Sequence, residues 1–525
     1  MLRRAAIATI FLILVLPGAG ILWTARDLPH LGQSYDDGIY WVTAKALASG
    51  AGYRYIFLPD EPHAVKYPPL YPLYLSLAWR AQPNFPRNIP VAVLLQGALL
   101  LIQVGLLIPL FRQLSLSWRR TLLLTGLVVT STQFLTLTCS LMSEMLFDCF
   151  LFAAVLVAER SVVSERGRWP ALLAGILTGA AYLTRSAAAP MFVAVPVYYA
   201  IRRRPGLSLF FLAGALPGAA GWQFWVYSHS AENLSSDASN YLAEYLRFVS
   251  VNGFWSSLSE HLVNMFTTSA DIFVVNNSTL LRSAPVQPLF LIAAISGAMR
   301  LARRRQWPLY MIFSGLYTAM IMCWWFNGIT RLLLPVYPAL MAGIAEEASH
   351  FATLVELTIK RRLGASLASA WWVAAPRLAI VTLVVILVAH NYADSRRMLQ
   401  DIMAKERDDQ EFDTHAYTWI TRHADPNTVL LTWRDSLAFL HTGVPSSRSF
   451  LIGTIRIGGP MLTAAPLSQL PVRYRRALIL LTKSEVSGSD RGTVYRDLRS
   501  RVESVAGTHL KYETSGAVIY ALTFR

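Results

Sequence analysis

Seven ionisable side chains in this 525-residue sequence stand at the ends of long apolar stretches, or just beyond them. Asp36 and Asp37 lie in SYDDGIYWV, Lys66 in HAVKYPPLYP, and Glu144 and Asp148 in SLMSEMLFDCF. Arg185 lies in YLTRSAAAP and Arg331 in NGITRLLLPVYPAL. Carboxylates and strong cations, once brought together, suit one kind of chemistry. A carboxylate takes the proton of an attacking hydroxyl as general base. Lys and Arg hold a phosphate and stabilise the charge that builds on it as it departs. Each residue also has a plainer use. Asp36 and Asp37 would serve equally to cap a helix starting at Gly38, and Glu144 as a helix N-terminal acid. Lys66, Arg185 and Arg331 would each suit a side chain reaching for a membrane interface. The joint pattern is harder to reduce, because five separated segments must converge to make it.

What positions them is read from composition. Apolar residues make up 54% of the chain and charged residues only 15%, with a mean hydropathy of +0.41. Soluble domains carry about 25% charged residues, so a water-soluble enzyme, a disordered chain and a fibrous repeat are excluded. Eleven stretches suit membrane spans of about 20 apolar residues: 5–24, 89–111, 120–138, 142–158, 169–184, 187–201, 207–227, 286–302, 307–326, 331–348 and 373–390. The first follows Leu2-Arg3-Arg4, and Gly18-Ala19-Gly20 would suit a signal peptide. Its apolar run continues through Ile21-Leu22-Trp23, which fits an uncleaved span better.

Lys and Arg in short loops set the direction. With the N-terminus inside, the inner segments hold 19 of them, whereas the short outer turns hold only Arg185 and Arg331. The net charge of +16 is therefore largely a topology signal, and nucleic acid is not an expected partner. Three long segments fall outside: 25–88, 228–285 and 391–525. All seven singled-out residues lie at that outer rim or within one helical turn of it. Asp148 is the turn deeper, on the face of Glu144.

The tail changes character. A polar helical stretch near 395–424 leads to an apolar run at 428–433, then 477–482, a helical 492–505, 510–513 and 517–524. Asp425-Pro426-Asn427 and Ser487-Gly488-Ser489 punctuate it as turns. Strands alternating with helices predict a small α/β domain over 391–525, with 1–390 as the membrane domain. Within the outer loops, Tyr241, Leu242, Tyr245, Leu246 and Val249 recur at helical spacing, as do Leu258, Leu262, Met265 and Phe266.

Other chemistries find little support. No phosphate-binding G-x-x-x-x-G-K-[ST], no G-x-G-x-x-G after a strand and no H-E-x-x-H occurs. Cys139, Cys149 and Cys323 make neither a disulfide framework nor a metal cluster. His415, His423 and His441 read as ordinary surface residues. No cofactor is required, and a divalent cation, Mg²⁺ or Mn²⁺, is left open because acids alone can bind one. A cation at the membrane rim finds its anion most readily in a lipid phosphate. An activated donor used on that face, without a nucleotide fold, should be carried by a lipid. The competing reading is a secondary transporter with an outer accessory domain, but such proteins place their ion sites near the bilayer midplane.

The acidic pair after the first span, Lys66-Tyr67-Pro68-Pro69-Leu70, MSEMLF, YLTRSAAAP and RLLLPVYPAL together resemble the GT-C glycosyltransferases. Within them the sequence is similar to the bacterial branch related to protein O-mannosyltransferases and aminoarabinose lipid A transferases. The resemblance covers about residues 1–390. It implies a GT-C fold of about eleven transmembrane helices in a bacterial inner membrane, with the N-terminus cytoplasmic and the site extracytoplasmic. An Arg count of 41 against 6 Lys agrees with a GC-rich bacterial source. The implied reaction is an inverting hexosyl or pentosyl transfer from a polyprenyl phosphate to a lipid, glycan or protein hydroxyl. By position Asp36 is implied as the acid acting on the acceptor, with Asp37 where a Glu is common, so which of the two is the base stays open. Lys66, Arg185 and Arg331 are implied near the donor phosphate, with Glu144 and Asp148 as supporting acids. One residue is inserted after Lys66 relative to the family's Lys-Pro-Pro-Leu pattern.

Overall fold

A computed structural model describes residues 2–26, 31–32, 35–114, 116–230, 241, 245–246, 249–250, 253–268, 286–324, 329–363, 370–448, 470–483, 491–505 and 507–523. Leu242, the turn at 487–489 and most of 228–285 lie outside the described residues. The architecture is a large helical bundle joined to one small mixed sheet. Helix occurs within each of the eleven apolar stretches. Among the described residues, Ala8–Ala25, Ile89–Gln113 and Leu207–His229 are long and apolar enough on their own to cross a membrane. The bent pair Trp118–Val129 and Thr132–Cys139 makes a fourth. Many large apolar side chains point outward from these helices, among them Leu12, Leu16, Trp23, Leu94, Leu209 and Phe224. In water such a surface would be a liability; in lipid it is the expected exterior, and the chain is an integral membrane protein.

Helix α1 (Leu2–Ala25) leads into a short helix, α2 (Tyr35–Ala48), and then α3 (Leu70–Ala81) and α4 (Ile89–Gln113). The expected single span at 120–138 is instead two helices, α5 (Trp118–Val129) and α6 (Thr132–Cys139), bent by 56°. The reason is local: the Ser131 side chain accepts from the Phe134 N–H and starts a new helix, as Ser117 does for α5 with Arg120. A serine cap satisfies donors that a continuous helix would have bonded internally. Next come α7 (Glu144–Val163), α8 (Arg168–Thr184), α9 (Met191–Ile201) and α10 (Leu207–His229). After them lie α11 (Phe254–Thr268), α12 (Val286–Arg304) and α13 (Leu309–Met322). The stretch expected at 331–348 is broken. A one-turn helix, α14 (Ile329–Leu332), is followed by a 3₁₀ turn over Leu334–Val336, and the long helix α15 (Tyr337–Leu363) begins only there. Pro335 lacks the N–H that would continue α14.

Close helix packing relies on glycine. A Cβ added to Gly297 of α12 would stand 1.9 Å from the Gly343 carbonyl oxygen of α15, and one on Gly175 of α8 2.0 Å from that of Phe211 of α10. The backbones touch at these points, which is how helices associate where lipid supplies no hydrophobic drive. At the end of the bundle away from the seven residues, Glu346 of α15 meets Arg304 and, at 3.8 Å, Arg120, while Glu347 meets Arg300 at 3.2 Å.

The last span and the polar helix after it are a single 54-residue helix, α16 (Ala370–His423). No Gly or Pro occurs between Arg377 and Asp425, so nothing in the sequence interrupts it. A Ser395–Thr132 hydroxyl contact at 2.9 Å and the packing of Leu399 and Met403 against Ile21, Leu135 and Cys139 hold its middle to α1 and α6. Beyond it lie β1 (Thr428–Leu431), α17 (Asp435–Thr442), β2 (Ser446–Ser447), β3 (Arg476–Thr482), α18 (Arg491–Glu503), β4 (Thr508–Glu513) and β5 (Ala517–Thr523). The sheet order is β2-β1-β3-β5-β4, with β1 parallel to both neighbours and the β5 pairings antiparallel. Alternate residues face opposite sides. Val429, Ile479, Val518 and Tyr520 pack on Leu498 and Val502 of α18, whereas Leu430, Leu478, Leu480 and Ile519 pack on Ala416, Tyr417 and Ile420 of α16. Helices cover both faces, which accounts for nearly unbroken apolar strands.

Candidate functional site

The geometry is built from four helix ends. Asp36 lies in the first turn of α2, Glu144 is the first residue of α7, Arg185 follows the last residue of α8, and Arg331 lies in α14. Their sequence separations reach 295 residues, yet their charged groups form one chain of contacts. Arg331 NH2 is 3.3 Å from Asp36 Oδ2, and Arg331 Nε is 3.2 Å from Glu144 Oε1. Arg185 NH1 is 3.0 Å from the same Glu144 oxygen and donates to Ser143 Oγ at 2.8 Å. Ser143 Oγ in turn lies 3.2 Å from Tyr40 Oη. On the other side, Tyr67 Oη donates to Asp36 Oδ1 at 2.6 Å.

Burial sorts the roles. The Glu144 side chain is 2% exposed, against 15% for Arg185, 22% for Asp36 and 25% for Arg331. Glu144 therefore forms the floor, and its charge makes it tolerable to bury two guanidinium groups side by side. Asp36 and Arg331 face the opening. Lys66 stands at the mouth, its Nζ 5.9 Å from the Tyr67 ring and 5.8 Å from the Tyr241 ring. Trp324 packs 5.7 Å from Tyr241 and continues the aromatic wall. Among the described residues, three cations against two carboxylates leave the cluster with one positive charge in excess.

Burial pushes the Asp36 carboxyl up. The Arg331 charge, the Tyr67 hydrogen bond and the charges of Lys66 and Arg185 outweigh it and hold the group below its ordinary 3.8. Burial and the adjacent Asp36 charge raise the Tyr67 phenol well above its ordinary 10, so Tyr67 remains a donor.

Two of the seven residues stand apart from this cluster. Asp37 Oδ1 accepts from the backbone N–H of Gly32 at 3.1 Å and of Gly38 at 2.6 Å, the local backbone bonding that the plainer reading allowed. Asp148, a turn below Glu144, is buried and accepts from Gln103 Nε2 of α4 at 3.0 Å. Tyr67, Ser143 and Tyr40 are site residues that type and spacing alone did not single out. The residue inserted after Lys66 is Tyr67 itself, which marks the position that touches Asp36. Among the described residues, no three His, Cys, Asp or Glu side chains converge to hold a metal. Both carboxylates of the cluster already face guanidinium groups, so its donor set suits an anion rather than a divalent cation.

A helical bundle with a charged pocket and an appended small sheet is a fold that solved structures share. ArnT from Cupriavidus metallidurans bound to undecaprenyl phosphate superposes with a TM-score of 0.54 at 12% identity, over 97% of each chain. Its apo state gives 0.53 at 13%, over 99% of this chain and 98% of that one. The archaeal oligosaccharyltransferase AglB from Archaeoglobus fulgidus, in complex with an inhibitory peptide and a dolichol-phosphate, gives 0.52 at 12% over 97% of this chain and 74% of that one. No family model and no curated protein matches the sequence. At these identities the likeness defines the fold.

Proposed function

We propose that this protein is a glycosyltransferase of the outer face of a bacterial inner membrane. It moves a hexose or pentose from a polyprenyl phosphate to a hydroxyl of a lipid, glycan or protein acceptor. Residues 1–390 form the transferase domain of about eleven spans, and 391–525 form an extracytoplasmic α/β domain. The observation that carries the reading is the contact chain Tyr67–Asp36–Arg331–Glu144–Arg185, with Lys66 beside it as a third cation. The fold shared with proteins crystallised on undecaprenyl phosphate and dolichol-phosphate supports it.

The reaction follows from those side chains. The donor phosphate sits against Arg331 and Lys66, with Arg185 behind them. The acceptor oxygen attacks the anomeric carbon while the bond from that carbon to the phosphate oxygen breaks. The electron pair leaves with the phosphate, and the acceptor proton passes to Asp36. Attack from the side opposite the phosphate inverts the anomeric configuration. Arg331 is shared between the donor phosphate and Asp36. When phosphate draws it away, Asp36 loses a stabilising charge and becomes a stronger base, so base strength rises when the donor is in place. Asp37 supports the turn before α2 and is not the base. Location at helix ends, rather than at mid-span, separates this pocket from the ion sites of secondary transporters.

Mass analysis of lipid co-purified with the protein tests the donor class directly. A polyprenyl phosphate retained by the parent protein and lost from the Arg331→Gln variant is the expected result. Equal retention in both removes Arg331 from the phosphate site.

A further inference from the structure

Just behind Asp36, the C-terminal sheet unit reaches the catalytic helix. Asp435, the first residue of α17, is buried, and its carboxylate gathers three donors. Oδ1 accepts from the Ser436 N–H at 2.7 Å. Oδ2 accepts from the Arg448 N–H, just after β2, at 3.1 Å, and from Tyr35 Oη at 3.2 Å. Tyr35 is the first residue of α2 and the neighbour of Asp36. Its ring is covered by the Arg448 guanidinium, whose carbon lies 3.3 Å from the ring centroid. The two helix starts touch: a Cβ on Gly38 would stand 2.3 Å from Ser436 Oγ.

We propose that Asp435, acting through Tyr35, is a positioning residue for Asp36: the C-terminal unit fixes the first turn of α2 so that Asp36 meets both Tyr67 and Arg331. This rests on the reading of Asp36 as the base. The physical reason is rotational. A helix start gains little restraint from its own backbone, because its first N–H groups have no intrahelical partner. Asp36 projects from that first turn, and a charge-assisted bond at Tyr35, one residue earlier, fixes the azimuth of the turn. A small misplacement of a reacting group lowers the rate steeply. Other parts of the interface are attached away from α2. Ser446 N–H donates to the Phe57 carbonyl at 2.7 Å and Tyr474 Oη to the Pro59 carbonyl at 3.1 Å, both in the loop between α2 and α3.

Two single-atom deletions separate positioning from docking. Tyr35→Phe keeps the ring under Arg448 and removes the hydroxyl bonded to Asp435; Tyr474→Phe removes a hydroxyl from the same interface away from α2. Amide exchange of residues 36–40 and the kcat and donor KM of the full-length protein are measured for both. For Tyr35→Phe, faster exchange and a fall in kcat of about tenfold with KM unchanged support the proposal, provided Tyr474→Phe matches the parent in both. Unchanged exchange in Tyr35→Phe, or equal losses of kcat in both variants, overturns it. An Asp36→Asn variant with full transfer, alongside faster exchange in Tyr35→Phe, would instead remove Asp36 as the base while leaving the tether in place.

Discussion

Replacing Asp36 by Asn is the most direct perturbation of the pocket. The amide keeps the shape of the side chain, and its carbonyl oxygen can still accept from Tyr67 Oη, now 2.6 Å from Oδ1. What disappears is the charge facing Arg331 at 3.3 Å and the ability to take a proton. The structural loss is small, since both partners of that pair are about a quarter exposed and such pairs contribute roughly 0.2–1 kcal/mol. The catalytic loss is larger: general-base assistance accounts for about 10²–10⁴-fold, or about 3–5 kcal/mol of barrier. The two effects therefore separate. The assay is release of polyprenyl phosphate from a polyprenyl-phosphate sugar that the parent turns over, in lipid nanodiscs, with thermal unfolding followed on the same samples. The expected result is a loss of turnover of at least about a hundredfold with a nearly unchanged unfolding temperature. If Asp36 were only a helix N-terminal acid, the variant would lose about 0.3–1 kcal/mol of stability and keep its rate. Transfer within a few-fold of the parent refutes the base assignment.

Glu144→Gln should act in the opposite sense, on the fold more than on the rate alone. It leaves two guanidinium groups without their shared carboxylate, a defect of about 3–5 kcal/mol that a fall in unfolding temperature would register; an unchanged temperature would mean the arginines are solvated. The pH dependence follows from the low carboxyl of Asp36. Its charged-state stabilisation is complete above its ordinary 3.8 and is lost as pH falls through its lower folded value. The difference in unfolding temperature between parent and Asp36→Asn should therefore hold constant from neutral pH down to about 4 and shrink below it. In kinetics the acid limb of kcat/KM, which reports the free enzyme, should lie below that of kcat, where the donor phosphate has drawn Arg331 away. Coincident limbs would mean that Arg331 stays with Asp36. Gly297→Ala should destabilise the bundle by about 1–3 kcal/mol, because the new methyl meets the Gly343 carbonyl at 1.9 Å, whereas Gly315→Ala, with nothing within 4 Å, should not lower the unfolding temperature.

Much of this was legible because lipid punishes misplaced charge. Asp36, Glu144, Arg185 and Arg331 stand out in the sequence as ionisable residues at the ends of apolar stretches, and the fold brings those four into direct contact. The strands at 477–482 and 517–523 were legible from their apolar runs, since both sheet faces are covered. What stayed hidden depends on contacts distant in sequence or on single hydrogen bonds. Nothing local says that Tyr67 rather than Tyr71 turns its hydroxyl to Asp36, or that Asp37, adjacent to Asp36, serves the backbone of Gly32. The bend at Ser131 turns on one hydroxyl replacing a backbone acceptor. The union of the last span with the polar helix is not legible from composition, because a helix ends for want of hydrogen bonds or at a proline, not where its side chains become polar.

The 54-residue helix has a mechanical consequence. Its part beyond residue 390 is about 50 Å long at 1.5 Å per residue, and it carries the sheet unit at its far end. Such a rod is a lever arm with its fulcrum near Ser395, where α6 grips it. A change of about 5° in the tilt of its other half, of the kind a thicker or thinner bilayer imposes, would displace the end that carries the sheet by about 4 Å. A bilayer of another thickness would thereby load the Asp435–Tyr35 contact, which joins that unit to the first turn of α2.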